Sequence, residues 1–251
     1  MGYAKILSNA IASVSRAESF LWLQQSLLHI EGCEDTVNEL AILLAQARRE
    51  MGEVVLADDV ELIPSDDGDV DIRSWSTATA SRVLLILTGI HRHDGQCSQL
   101  IMSLYQYGDA NEREAITQGL SLFNGGETLL PIALETGRAN SLSLLSSLMI
   151  NNPFPAAHYS EQQFNQMVLK SLFTGINIEQ IHGLKQRVNV ELARMCEDYV
   201  QERIDANRSV PADIWLAIAP HASQRGRELL QTFMQQGGAE HRHYAQLSLS
   251  C

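Results

Sequence analysis

Basic residues are scarce in this chain. Lys and Arg number 18 against 30 Asp and Glu, which gives a formal charge of −12 and a pI near 5.0. A surface of that sign repels a phosphate backbone and an anionic lipid leaflet, so nucleic-acid binding and polybasic membrane attachment are not expected. Cysteine is sparse and never paired: Cys33, Cys97, Cys196 and Cys251 stand far apart with no CxxC. That argues against a disulfide scaffold and for a reducing cytoplasm. Long apolar runs are missing too. The longest aliphatic one, Val83-Leu84-Leu85-Ile86-Leu87, is too short to span a bilayer. The first residues follow helical spacing and not a continuous signal-peptide core, and Ile6 breaks the N-myristoylation pattern. Absent as well are GxSxG, a Walker loop, GxGxxG and HExxH, which lowers the expectation of catalysis.

What the chain has is helical periodicity. Hydrophobic residues make up 45% of 251, enough for a large core. Tyr3, Leu7, Ala10, Val14, Ala17, Leu21 and Leu28 recur at helical spacing up to Gly32, with a capping box Ser15–Glu18 predicting a bend near Ser15. Val37, Leu40, Ala41, Leu44 and Ala47 mark the next helix, closed by Gly52. Further helices follow Ser76, Asp109 (a capping box with Glu112), Pro131, Ser160, Asn189 and Pro211, and Leu229–Met234 carries a last clear one before Gly237-Gly238. Alternation with period two is almost absent; Val54–Leu62 could hold one short hairpin at most. The expected fold is all-α: about eleven or twelve short antiparallel helices in one domain over residues 1–251, arranged as an α-solenoid or HEAT-like array with degenerate repeats.

Two charged features are weak signals. Residues 53–73 hold eight acidic side chains against Arg73. An EF-hand begun at Asp67 fails, with Ile72 where glycine is needed and Ala78 where the bidentate Glu belongs. The segment reads as a solvated loop. His91-Arg92-His93 and His241-Arg242-His243 form two HxH pairs. Zinc needs three or four converging ligands, so they read as surface histidines; neither a metal site nor a cofactor is expected.

The stretch from Asn151 to Arg203 resists a purely structural reading. Pro153 and Pro155 should hold the chain extended. Ser160 caps a helix that reaches Thr174, with Gly175 as its C-cap. Phe164, Met167, Val168, Ser171 and Leu172 form one apolar stripe, Leu169 and Phe173 lie opposite, and Asn165, Gln166 and Lys170 interrupt them. A buried amide or ammonium must be hydrogen-bonded, so these groups either satisfy neighbouring backbone or line a pocket. The helix after Asn189 carries Leu192, Met195, Cys196, Tyr199 and Val200, with Arg203 on the same face. Asp198 and Glu202 sit adjacent, so Arg203 is either clasped by a carboxylate or left to clamp an anion.

The run NPFPAAHY, FNQMVLKSLFTG, IHGL and LARMCEDYVQER resembles the EboA family, from about Trp75 to Pro220 and most clearly over residues 151–220. The family's motif positions fall on Asn151 or Asn152, Pro153, Pro155, His158, Asn165, Gln166, Met167, Lys170, Gly175, Gly183, Arg187, Asn189, Asp198, Tyr199, Glu202 and Arg203, while Phe164 and Ile204 stand where Trp is expected. The resemblance implies a bacterial protein of metabolite trafficking, from gene clusters linked to a cyanobacterial sunscreen pigment. It implies a biological role and no mechanism. Ligand-binding candidates are Asn151, Asn152, His158, Asn165, Gln166, Lys170, Arg187 and Arg203, with Asp198, Tyr199 and Glu202 as structural polar partners. The expected function is a non-catalytic scaffold for a small anionic or polar metabolite or for proteins of the same pathway. The alternative is an enzyme in which His158 acts as acid or base and Lys170 as electrostatic partner.

Overall fold

The computed structural model describes residues 2–92 and 97–249. Among the described residues there are fifteen α-helices, five 3-10 turns and no strand, so the chain is all-α. Helices outnumber the expected eleven or twelve because Phe154–His158 and Leu184–Arg187 are too short to show a period, and because the C-terminal tail, expected to add at most a turn, forms the full helix Ala239–Leu249. The chain gathers into two compact units. The first comprises the described residues up to Leu148 together with Asn152–His158; the second comprises Met149–Asn151 and the residues from Tyr159 onward.

In the first unit α1 (Gly2–Val14), α2 (Ala17–Gly32), α3 (Thr36–Met51) and α4 (Thr77–Ile90) precede α5 (Cys97–Tyr107), α6 (Ala110–Gln118), α7 (Leu130–Gly137), α8 (Leu142–Met149) and the short α9 (Phe154–His158). α4 is the centre. It begins where Ser76 Oγ accepts the Thr79 N–H at 3.1 Å, and its buried residues run around most of its circumference, Val83 to Leu87 without a break. α1, α2, α3 and α6 all pack on it. Burying each such Leu or Ile stabilises the fold by about 1.5–3 kcal/mol. Thr77, Ser81 and Arg82 are its buried polar residues; the Arg82 guanidinium is buried and its Nε donates to the Leu44 carbonyl at 3.0 Å.

Three expectations change here. The break near Ser15 exists, but Arg16 takes the N-cap position without a side-chain bond, and the Ser15 hydroxyl is buried with no partner among the described residues. The interruption resets the helical phase. Leu21 and Leu28 are 53% and 68% exposed, and Leu23, Ser26 and Ile30 face inward instead. The 53–73 segment is not a purely solvated loop. Leu56, Ile63, Val70 and Ile72 are buried, and isolated bridges join Val55 to Ser76 and Ile63 to Val70. Finally, Pro155 lies inside α9 and does not hold the chain extended; in the first turn of a helix its missing N–H breaks no bond. His93 and Asp94 lie outside the described residues.

The second unit holds α10 (Glu161–Thr174), α11 (Leu184–Arg187), α12 (Val190–Asp205), α13 (Trp215–Ile218), α14 (Gln224–Gln236) and α15 (Ala239–Leu249). Ser160 caps α10 in a full capping box with Gln163, and Gly175 closes it at φ 77, a left-handed conformation that an L side chain resists. α12 packs against α10, α13 and α14. Glu197 on α12 is buried and receives both the N–H and the hydroxyl of Ser223, at 2.8 and 2.5 Å, so it anchors the start of α14. Gly226 passes so close to the Glu197 carboxylate that a Cβ there would push it off Ser223.

Candidate functional site

The segment 177–189 joins α10 to α12, and the polar residues singled out in the sequence are largely what fixes it. Asn151, in the left-handed region at φ 51, donates its N–H to the Gln180 carbonyl at 2.8 Å. Asn165, 2% exposed, exchanges amide hydrogen bonds with Asn189 at 3.2 and 2.9 Å. Asn189 also caps α12 through the Leu192 N–H and donates to the Arg187 carbonyl. Arg187 donates to the Tyr159 carbonyl at 2.8 Å and lays its guanidinium over the Phe164 ring at 4.7 Å. Asp213 reaches back from 35 residues on to accept the Ile178 N–H at 2.8 Å. Backbone bonds of its own hold the 3-10 turn and α11, and side chains from α10, from the N-cap of α12 and from the 211–214 turn add to them.

The remaining candidates fall elsewhere. Asn152, buried in the first unit, donates to the carbonyls of Thr117 and Ser147 at 2.9 and 3.0 Å and accepts the Phe154 N–H. His158 Nε2 lies 2.7 Å from Asp67 Oδ1, with its ring 4.4 Å from Phe154, so the acidic segment is tied to α9 by one of its own carboxylates. Gln166 is exposed, and Lys170 is half-buried and engaged by neighbouring groups. Arg203 is clasped by neither Asp198 nor Glu202. Its Nε donates to the Ser209 carbonyl at 2.7 Å and its guanidinium lies over the Tyr199 ring. Asp198 instead pairs with Arg194 and Arg225 at 2.9 and 3.1 Å, all exposed. The Tyr199 hydroxyl is buried with no partner among the described residues.

Two grooves of about 490 Å³ each open in the second unit. One runs along the 181–188 turn. Its walls are Ile181, Leu184, Val188, Leu216, Pro220 and Leu247, with Glu179, Lys185, Gln186 and Ser248 at the edges. The other lies at the C-terminus of α10 and is lined by Leu172, Ile176, Asn177, Pro211, Asp213, Glu240, His243 and Tyr244 among others. None of the ligand-binding candidates read from the sequence lines either groove. Apart from Leu172, which belongs to the apolar stripe of α10, the lining comes from turns, from the short α11 and α13 and from α15, where no periodic stripe points at it. Asp213 was the available signal: a carboxylate set between Pro211 and the apolar Ile214-Trp215 pair has to enter the core or disrupt it.

The electrostatics of the second groove are one-sided. Burial pushes the Asp213 carboxyl above the usual carboxylate range, against the Ile178 N–H that stabilises its charge. Burial likewise raises the Tyr244 phenol, whose oxygen accepts from Asn177 Nδ2 at 2.9 Å and whose proton goes to Glu179 at 3.1 Å. Behind the groove, Trp215 Nε1 donates to His241 Nδ1 at 2.9 Å. An indole only donates, so Nδ1 carries no proton and the imidazole is neutral; burial lowers its pKa accordingly.

The fold and these two grooves define an all-α protein with ligand-sized openings framed by a polar-pinned turn. The family model of metabolite traffic protein EboA matches residues 3–219, and the chain belongs to the EboA family. The match reaches further toward the N-terminus than the resemblance read from Trp75, and it stops before α14 and α15. No curated protein and no solved structure matches the chain.

Proposed function

We propose that this chain is a non-catalytic scaffold that holds a small, largely apolar metabolite in the groove along the 181–188 turn, in the cytoplasm and in concert with other proteins of its pathway. The observation that carries this reading is the groove itself: aliphatic walls with a few polar groups at the rim, at a volume suited to a small molecule. The motif residues support it indirectly. Asn151, Asn165, Arg187 and Asn189 are committed to holding the turn that forms one wall, so they shape a site without touching its contents. The family's metabolite-traffic description agrees with binding and release in preference to conversion. Among the described residues no helix is long and apolar enough to cross a membrane.

Native mass spectrometry of freshly purified protein should reveal a co-purified small molecule, and Leu216→Glu should release it by placing a charge in the apolar wall. Retention of the same molecule by Leu216→Glu, or a wild-type protein that takes up none of the pathway's metabolites, overturns the proposal. One observation favours a second reading. Asp67 orients His158 as a carboxylate orients a catalytic imidazole, at 2.7 Å. If the chain is an enzyme, turnover of a pathway metabolite should vanish in His158→Gln and in Asp67→Asn while both proteins stay folded.

A further inference from the structure

The groove at the C-terminus of α10 shares no lining residue with the apolar one. We propose that it is a separate ligand site, selective for a small organic amine whose ammonium group sits against Asp213. Three observations point there. Asp213 lines the groove at 8% exposure, and no Lys or Arg pairs with it among the described residues; its partners are neutral backbone amides, that of Ile178 at 2.8 Å and its own. A buried carboxyl without a cation either keeps its proton or gains from a positive charge brought beside it, so a cationic ligand has something to win there. His241, the imidazole close enough to influence Asp213, is committed as an uncharged acceptor to the Trp215 indole and cannot supply that charge while the bond stands.

The groups open to a ligand are mostly acceptors. The Tyr244 proton is directed to Glu179, its oxygen accepts from Asn177, and the Asn177 oxygen accepts the Glu179 N–H, so the acceptors left to a ligand are carboxylates, Asp213 first among them. Glu240 adds a second carboxylate at the rim, and of the lining side chains only His243 and the remaining Asn177 amide hydrogen can donate. An anion meets two carboxylates here and is repelled, so the anionic ligand expected from the sequence does not suit this groove. A metal ion does not suit it either, because among the described residues no three His, Cys, Asp or Glu side chains converge. Leu172, Ile176, Pro211 and Ala239 offer an apolar bed for a carbon skeleton. A protonated amine on a hydrophobic body satisfies both halves.

The test uses the full chain, isotopically labelled, titrated with benzylamine and phenethylamine and with benzyl alcohol as the uncharged counterpart. Saturable amide shifts are expected at Asn177, Ile178 and Tyr244 for the amines, with the alcohol weaker by about tenfold for the lost charge-assisted bond. Asp213→Asn keeps an acceptor for Ile178 and should weaken amine binding by about tenfold or more, bringing amine and alcohol level. Should Asp213→Asn fail to fold, Glu240→Gln, at an exposed position of the lining, should weaken the amines by a few-fold and leave the alcohol unchanged. Amine shifts confined to the acidic 53–73 segment, equal affinity for amine and alcohol in the wild type, or undiminished amine binding in the variants overturn the proposal. Because neither substituted side chain lines the apolar groove, and Asp213→Asn keeps an acceptor for the Ile178 N–H that holds its turn, retention of a co-purified metabolite in Asp213→Asn and in Glu240→Gln separates failure here from failure of the scaffold reading.

Discussion

The two units reach order by different means. The first is built around α4, whose buried run from Val83 to Leu87 is wholly aliphatic and on which α1, α2, α3 and α6 pack. The second relies on buried polar groups: Asn165 with Asn189, Asp213 on Ile178, Glu197 on Ser223. An aliphatic core tolerates repacking as long as volume is kept, whereas a hydrogen-bonded frame fails when one partner goes, since the other stays buried and unsatisfied. A protein that must present grooves of defined shape has reason to frame them with the second kind of contact.

The largest expected effect would test that contrast from the apolar side of the second unit. Trp215→Ala removes a fully buried indole beside Phe233 and should cost about 3–5 kcal/mol in a denaturant titration. Leu23→Ala in the first unit should cost about 2–5 kcal/mol, while Leu28→Ala, one turn further and exposed, should stay within about 0.5 kcal/mol. Equal losses at the two leucines would restore the uninterrupted helical phase. Glu197→Ala should cost about 1.5–3 kcal/mol and speed amide exchange at the start of α14 before any change in α4. Tyr199→Phe is expected to be neutral or stabilising by up to about 1 kcal/mol, because it removes a buried hydroxyl that has no partner among the described residues. A clear destabilisation would mean that hydroxyl has a partner.

A smaller effect should appear with pH. The folded state holds His241 neutral, with its pKa below the ordinary value of 6.5. A group depressed on folding contributes its full share above the unfolded pKa and loses it as pH falls, so the Trp215–His241 link should weaken from about pH 6.5 downward. Asp213 and Glu112 are raised by burial and have the opposite sign: their neutral forms favour the fold, and the advantage fades as pH climbs through their folded values. Amide exchange of α15 at pH 7 and pH 5.5 tests the first of these, and His241→Gln should flatten the difference.

Local features of the sequence proved legible where the physics is local. Ser76, Asp109, Ser160 and Asn189 all accept the N-terminal amide that their residue type suits, and Gly175 adopts its left-handed cap. Phase across the Arg16 interruption was not legible, because a turn of unknown rotation intervenes. In the candidate site, amides such as Asn165 were recognisable as residues needing partners. What they bind was hidden, because each partner lies tens of residues away: Asn189 for Asn165, Asp213 for Ile178, Tyr244 for Asn177. The pocket itself was invisible for the same reason, its walls being set by α15 and by turns whose positions no period encodes.

α15 has a practical corollary. It lies beyond residue 219, where the family match ends, yet it gives Trp215 its only resolved acceptor and contributes Glu240, His243, Tyr244, Leu247 and Ser248 to the two grooves. A fragment trimmed to the shared boundary would leave a bare indole edge and two half-open troughs, so shared ancestry is here a poor guide to where the chain can be cut.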